Sequence, residues 1–192
     1  MRMIRSFDYI SEDGFYAGPD GDLTWFTGER KENDELQEFS HLNPAALNVL
    51  FFGRTTYEMM RDYWATSDAM NDDPGTTLLM RNSPKIVFSK SLLDAGEMST
   101  WTNVTLVRSI DPLQIRAIQE ESARDMTILG SGTIVRQFFD LGLLDELQVA
   151  VVPKFVGAGK ILLSREEISA LTPSKKNVYE NGIISLTYSL HS

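Results

Sequence analysis

The apolar positions of this chain fall into short runs separated by polar, glycine-bearing stretches. Asn48–Phe52, Lys85–Phe88, Val104–Val107, Met126–Leu129 and Glu146–Val152 are runs of this kind. They read as strands, Asn48–Phe52 as one buried on both faces and Met126–Leu129 as another of the buried type. Met3 to Ile10 reads as a first strand, ending in the turn Ser11-Glu12-Asp13-Gly14. A helical period intervenes between the strands. Tyr57, Met60, Arg61 and Trp64 recur at three- and four-residue spacing and predict a helix over Thr55–Trp64. Asp111-Pro112 pairs a capping residue with a first-turn proline, starting a helix that should run to about Ala123 with Ile115 and Ile118 inward. Another helix carries Ile134, Val135, Phe138, Phe139 and Leu141 and stops at Gly142. A charged helix is expected from about Arg30 to His41. Gly14–Gly21 reads as a long loop and Asp68–Gly75 as a polar turn region.

The C-terminus is the clearest local pattern. Asn181-Gly182 is a hairpin turn, after which Ile184, Leu186, Tyr188 and Leu190 alternate with Ser185, Thr187 and Ser189. Strands alternating with helices predict an α/β fold, with a final antiparallel hairpin on an otherwise largely parallel sheet.

Length and composition narrow this picture. At 192 residues the chain fits one domain over 1–192, able to bury roughly 70% of its unfolded surface. Zero cysteines exclude a disulfide framework, a thiolate metal site and a cysteine nucleophile. With two histidines, His41 and His191, no multi-histidine metal centre is expected. The N-terminus lacks a signal-like apolar run and no segment is long enough to span a bilayer, so the expected location is the cytoplasm. A formal net charge of −9 argues against general nucleic-acid binding. An anionic ligand would have to be held locally, by backbone N–H groups, helix N-termini and a few cations.

Three segments offer that chemistry. In Phe52-Gly53-Arg54-Thr55-Thr56 a glycine ends a strand where a helix opens, so backbone can approach a phosphate while Arg54 and the threonines add contacts. The plain alternative is a strand end with a threonine cap. In Leu129-Gly130-Ser131-Gly132-Thr133 two glycines and two hydroxyl residues open a second helix, although the third glycine of the dinucleotide fingerprint is missing. In Ser89-Lys90 a hydroxyl and a cation leave a strand, a combination that suits a phosphate monoester; alone, Lys90 would read as a solvated loop lysine.

In order and spacing, these segments resemble the dihydrofolate-reductase-like superfamily, in the branch similar to the reductase domain of the bacterial riboflavin-biosynthesis deaminase–reductase. Ser11-Glu12-Asp13-Gly14-Phe15, Lys85-Ile86-Val87-Phe88, Leu144-Asp145-Glu146-Leu147 and Pro153-Lys154-Phe155-Val156-Gly157-Ala158-Gly159-Lys160 extend the resemblance over nearly the whole chain. The resemblance implies a three-layer fold, a central mixed sheet flanked by helices, with NADPH across the C-terminal ends of the strands. It implies that Gly53, Arg54, Thr55 and Thr56 meet the pyrophosphate and adenine-side phosphates. It further implies that Ser89 and Lys90 meet the 2′-phosphate, that Gly130, Ser131, Gly132 and Thr133 meet the other side of the pyrophosphate, and that Tyr16, Ala17 and Gly18 border the nicotinamide. Homodimers are common in the superfamily.

The activity implied is NADPH-dependent hydride transfer to a small heteroaromatic substrate, pterin-, pyrimidine- or riboflavin-precursor-like. No metal is called for. The zinc deaminase that accompanies the riboflavin enzymes has no counterpart in a chain without cysteine. An acidic group is the open question. Asp34, among Glu32, Glu35 and Glu38 on the expected charged helix, and Asp13, beside the cofactor loop, are the catalytic candidates; a solvated carboxylate is the plain reading of each. Asp8 sits in the first strand, where alternation does not fix its face, and would line a pocket if turned inward. Trp25, Phe26, Tyr57, Tyr63 and Trp64 could wall an aromatic ligand, with core packing the ordinary reading. Two other functions stay open: a non-catalytic NADPH- or nucleotide-binding protein on this scaffold, and a partner-binding domain with no dinucleotide site.

Overall fold

A computed structural model describes residues 2–27, 48–96 and 99–190. The expected helix over Arg30–His41, with Asp34, lies outside the described residues. The elements are β1 (Ile4–Ser11), β2 (Phe15–Ala17), the single-turn α1 (Thr24–Thr27), β3 (Val49–Gly53), α2 (Arg54–Trp64), α3 (Ser67–Asp72), α4 (Pro74–Asn82), β4 (Lys85–Phe88) and β5 (Val104–Val107). They continue with α5 (Pro112–Glu121), β6 (Met126–Leu129), α6 (Gly132–Asp140), β7 (Glu146–Val152), β8 (Lys160–Ile161), α7 (Arg165–Ala170), β9 (Lys175–Val178) and β10 (Ile184–Ser189).

Eight strands form one sheet in the order β5-β4-β3-β6-β1-β7-β10-β9. From β5 to β7 every neighbouring pair is parallel, whereas β10 runs antiparallel to both β7 and β9. This is the expected mixed sheet with a C-terminal hairpin. Gly182, at φ +83°, closes its turn by donating to the Tyr179 carbonyl at 3.0 Å. Every residue of β3 and β4 is buried, which accounts for their unbroken apolar runs.

Helices cover both faces. On one, Ile4, Phe51, Phe88 and Ile128 pack against Ile115 of α5 and Ile134, Val135 and Phe138 of α6. Phe51, Phe88 and Phe138 form an aromatic triangle with centroids 5.4–5.7 Å apart, each ring contributing roughly 1.5–3 kcal/mol by burial. On the other face Leu50, Phe52 and Val87 pack against Tyr57 and Trp64 of α2, Ala69 of α3, Met80 of α4, and Trp101.

Two expectations need correction. Asp68–Gly75 is not a turn region; it runs through α3, the junction at Asp73 and the start of α4. Thr66 accepts from the Ala69 N–H and Asp73 from the Thr76 N–H, and Pro74 occupies the first turn of α4, so both starts are capped. Gly14–Gly21 is not all loop, because Phe15–Ala17 pairs antiparallel with Lys160–Ile161. A Cβ at Gly159 would stand 2.1 Å from the Ala17 carbonyl oxygen, so the two segments pass too closely for any side chain there. Among the described residues no helix is long and apolar enough to cross a membrane, and no acid–histidine cluster could hold a metal ion.

Candidate functional site

The parallel strands direct their C-terminal ends toward one edge of the sheet, and two neighbouring ends there, β3 and β6, each turn directly into a helix. At the first, Gly53 approaches the second corner so closely that a Cβ would meet Ile134 at 3.1 Å and Ser131 at 3.8 Å. At the second, Gly130 and Ser131 both adopt left-handed backbone, at φ +54° and +57°. For serine this is a strained conformation, and the Gly53 N–H stabilises it by donating to Ser131 Oγ at 3.0 Å. The two corners therefore touch.

The helix starts differ in one decisive respect. The starts of α3, α4, α5 and α7 are capped by Thr66, Asp73, Asp111 and Ser164, whose side chains accept first-turn N–H groups. Neither α2 nor α6, which begin at the glycine corners, has a side-chain cap. No side chain occupies these two helix starts, and an anion is the natural ligand for such a start.

Beside the corners lies a cavity of about 510 Å³. Thr55, Thr56 and Gly130–Thr133 line it, as do Tyr16 and Ala17. The corners and the Tyr16–Ala17 segment, separated in sequence, thus share one space. Gly18, Gly53, Arg54, Ser89 and Lys90 are not part of its wall. Gly18 closes the turn that follows β2, its N–H donating to the Asp22 carbonyl at 2.9 Å. Arg54 is paired with Glu58 and donates to Ser91 at 3.1 Å, beside the Ser89-Lys90 turn. Ser89 Oγ accepts from the Ser91 and Leu92 N–H groups, so its first duty is to shape that turn. Both segments sit at the C-terminal ends of neighbouring strands, β3 and β4.

Gly132 packs under Tyr16. A Cβ there would lie 2.5 Å from the Tyr16 ring, which stacks over the opening turn of α6. Burial, then the nearby Asp8, raise the Tyr16 phenol, so it keeps its proton at neutral pH. Asp8 lines the cavity too and is 3% exposed. Burial pushes its carboxyl well above the ordinary carboxylate range, and its Oδ2 has no hydrogen-bond partner among the described residues. Sequence alone could not orient Asp8, because β1 is buried on both faces and alternation carries no signal there.

Asp13 is elsewhere. It accepts from Ser11 Oγ at 2.6 Å, the Gly157 N–H at 2.7 Å and the Val156 N–H at 3.2 Å, and it does not line the cavity. Burial pushes its carboxyl up, but these hydrogen bonds outweigh it and hold the group ionised. Its role here is to tie the β1 turn to the Val156–Gly157 loop. Of the aromatic candidates, Phe26, Tyr63 and Trp64 border the cavity while Tyr57 is core. Met59, Thr76 and Leu79 were missed; the last two sit on α4, whose signal was the cap-and-proline pair Asp73-Pro74.

A three-layer fold of this topology, with glycine-opened helices at neighbouring strand ends, is of the dihydrofolate-reductase-like class. The chain belongs to the RibD C-terminal domain family, whose model matches residues 2–185. It is similar to the uncharacterized protein YyaP of Bacillus subtilis, at 21% identity over 93% of this chain and 90% of that one. Among solved structures it is similar to a putative riboflavin biosynthesis protein from Shewanella, with TM-score 0.71, 21% identity, and 97% and 98% of the two chains covered. It also resembles the Thermotoga maritima diaminohydroxyphosphoribosylaminopyrimidine deaminase/5-amino-6-(5-phosphoribosylamino)uracil reductase, with TM-score 0.64, 15% identity, and 98% of this chain and 56% of that one covered. A dihydrofolate reductase from Enterococcus faecalis, complexed with NADP(H), matches with TM-score 0.57, 15% identity and 97% and 95% coverage.

Proposed function

We propose that this protein is an NADPH-dependent reductase of a small heteroaromatic compound. The observation that carries the reading is the pair of helix starts, α2 and α6, that lack side-chain caps and meet at the Gly53–Ser131 contact beside the cavity. Two helix starts without side-chain caps, both lining one cavity, suit a diphosphate. The residues present fit the dinucleotide in another way: the Asp8 carboxyl leaves an oxygen in the cavity wall with no partner among the described residues.

In this reading Thr55, Thr56 and Gly130–Thr133 hold the diphosphate, while Ser89, Lys90 and Arg54 stand at the 2′-phosphate end. NADPH supplies the hydride; the protein supplies position, dryness and a held proton. Phe26, Met59, Tyr63 and Leu79 give the cavity apolar walls that exclude water and accept a flat ring, in a volume ordinary for a small-molecule site. A non-catalytic role was motivated by the lack of an evident proton-holding group. Burial pushes the Asp8 carboxyl well above the ordinary carboxylate range and raises the Tyr16 phenol, which makes both candidates for that group.

The test is oxidation of NADPH, followed by its absorbance, against a panel of pterins, aminopyrimidines and flavin precursors, with NADH as the control. Substrate-dependent oxidation of NADPH in preference to NADH is expected. Saturable NADPH binding without oxidation of any substrate class would overturn the reductase reading while leaving the cofactor site intact.

A further inference from the structure

We propose that the Asp8 carboxyl receives the carboxamide of the nicotinamide ring. This rests on the NADPH reading above and deepens it by naming the contact at the reactive end.

The sheet order supplies the argument. The strands β4, β3, β6 and β1 are consecutive neighbours, and their C-terminal ends share one edge. The cationic turn Ser89-Lys90, approached by Arg54, follows β4. The glycine corners follow β3 and β6. A dinucleotide with its 2′-phosphate at the first and its diphosphate at the second continues toward β1, about 14 Å from β4 at three interstrand steps of ~4.8 Å. There the Gly130 N–H donates to the Phe7 carbonyl at 3.1 Å, which ties the second corner to the residue immediately before Asp8. Asp8 is 3% exposed, lines the same cavity as Gly130–Thr133, and presents an oxygen with no partner among the described residues.

The chemistry matches at both atoms. A protonated carboxyl offers one O–H donor and one carbonyl acceptor side by side, and a primary carboxamide offers the complementary acceptor and donor. Burial is the cause of the raised Asp8 value and favours that protonated form; Lys160 also lines the cavity but is not a cause of the shift. An ionised carboxylate, by contrast, would be suited to a cationic amidine and would lack the donor. Tyr16, stacked on Gly132, stands beside the pair and adds no positive charge.

The test compares two ligands on the full chain by calorimetry: NADPH, and adenosine 2′,5′-bisphosphate, which has the phosphates and adenine end but no nicotinamide. Asp8→Leu should weaken NADPH by about tenfold to a hundredfold, the range for leaving a buried amide unpaired, and change the bisphosphate less than about twofold. Asp8→Asn, which keeps one donor and one acceptor, should recover most of the NADPH affinity. Unchanged NADPH binding in Asp8→Leu overturns the proposal, as does equal weakening of both ligands, which would mean a general distortion. Failure of the wild-type protein to bind either ligand would instead remove the NADPH reading itself, and the proposal with it.

Discussion

Lys85 and Asp8 are ionisable residues of the same sheet, exposed by 1% and 3%, yet their surroundings are opposite. The Lys85 ammonium donates to the carbonyls of Arg81, Ser83 and Thr102 at 3.0, 2.8 and 3.1 Å and lies 4.4 Å from the centre of the Trp101 ring. All three of its protons are used, and nothing about it invites a ligand. Asp8 has an oxygen with no described partner and a cavity beside it. Burial of a charge is therefore not what marks a site. A buried polar group whose valence is left open toward a cavity is, because folding alone gives no return on the desolvation it costs.

The contrast is sharpened by removing each group. Lys85→Met should lower stability by about 3–5 kcal/mol in urea denaturation, since three carbonyls lose their donor together. Asp8→Leu should do the reverse, raising stability by about 1–3 kcal/mol at pH 8, because it removes an unpaired buried carboxyl and the space beside it accommodates the longer side chain. The sign with pH follows from the raised folded-state value. Below the ordinary carboxylate range both states are protonated and the penalty is absent. As pH rises above 3.8 the unfolded chain releases its proton while the folded chain keeps it, so wild-type stability falls by up to ~1.4 kcal/mol per pH unit from this group. Asp8→Leu should lack that component, so the difference in stability between the two proteins should narrow as pH falls toward 4.

Two smaller changes bound the site. Gly132→Ala should displace the Tyr16 ring, whose atoms lie 2.5 Å from the new methyl position, and weaken NADPH about tenfold with little loss of fold. Ser164→Ala removes the cap that accepts the Glu167 N–H at 3.2 Å. It should cost about 1 kcal/mol in thermal denaturation and leave NADPH affinity unchanged, because α7 has its own cap and α2 and α6 do not.

The sequence was most legible where one physical signal dominated. The strands Lys85–Phe88, Val104–Val107, Met126–Leu129 and Glu146–Val152 have the expected bounds, and the Asn181-Gly182 turn is where its dipeptide put it. The two short helices α3 and α4 were obscured because they bury little, mainly Ala69, Thr77 and Met80, so no long apolar period announces them. Their caps were readable all the same: Asp73-Pro74 repeats the signal that located α5 at Asp111-Pro112. The glycine corners were legible as local motifs, but their contact was not, since 78 residues separate Gly53 from Ser131. The acids show the limit most clearly. Asp13 has the local setting of a site residue, and only the fold brings Val156 and Gly157 to it as partners. Asp8 looked like an anomaly in a strand, and only the fold shows it facing the cavity with an oxygen left over.

The most direct measurement is a crystal structure of the protein grown with NADPH. It should show the diphosphate between the first turns of α2 and α6 and the nicotinamide carboxamide within hydrogen-bond distance of Asp8. NADPH bound away from the Gly53–Ser131 contact, or a nicotinamide pointing away from β1, would contradict the account.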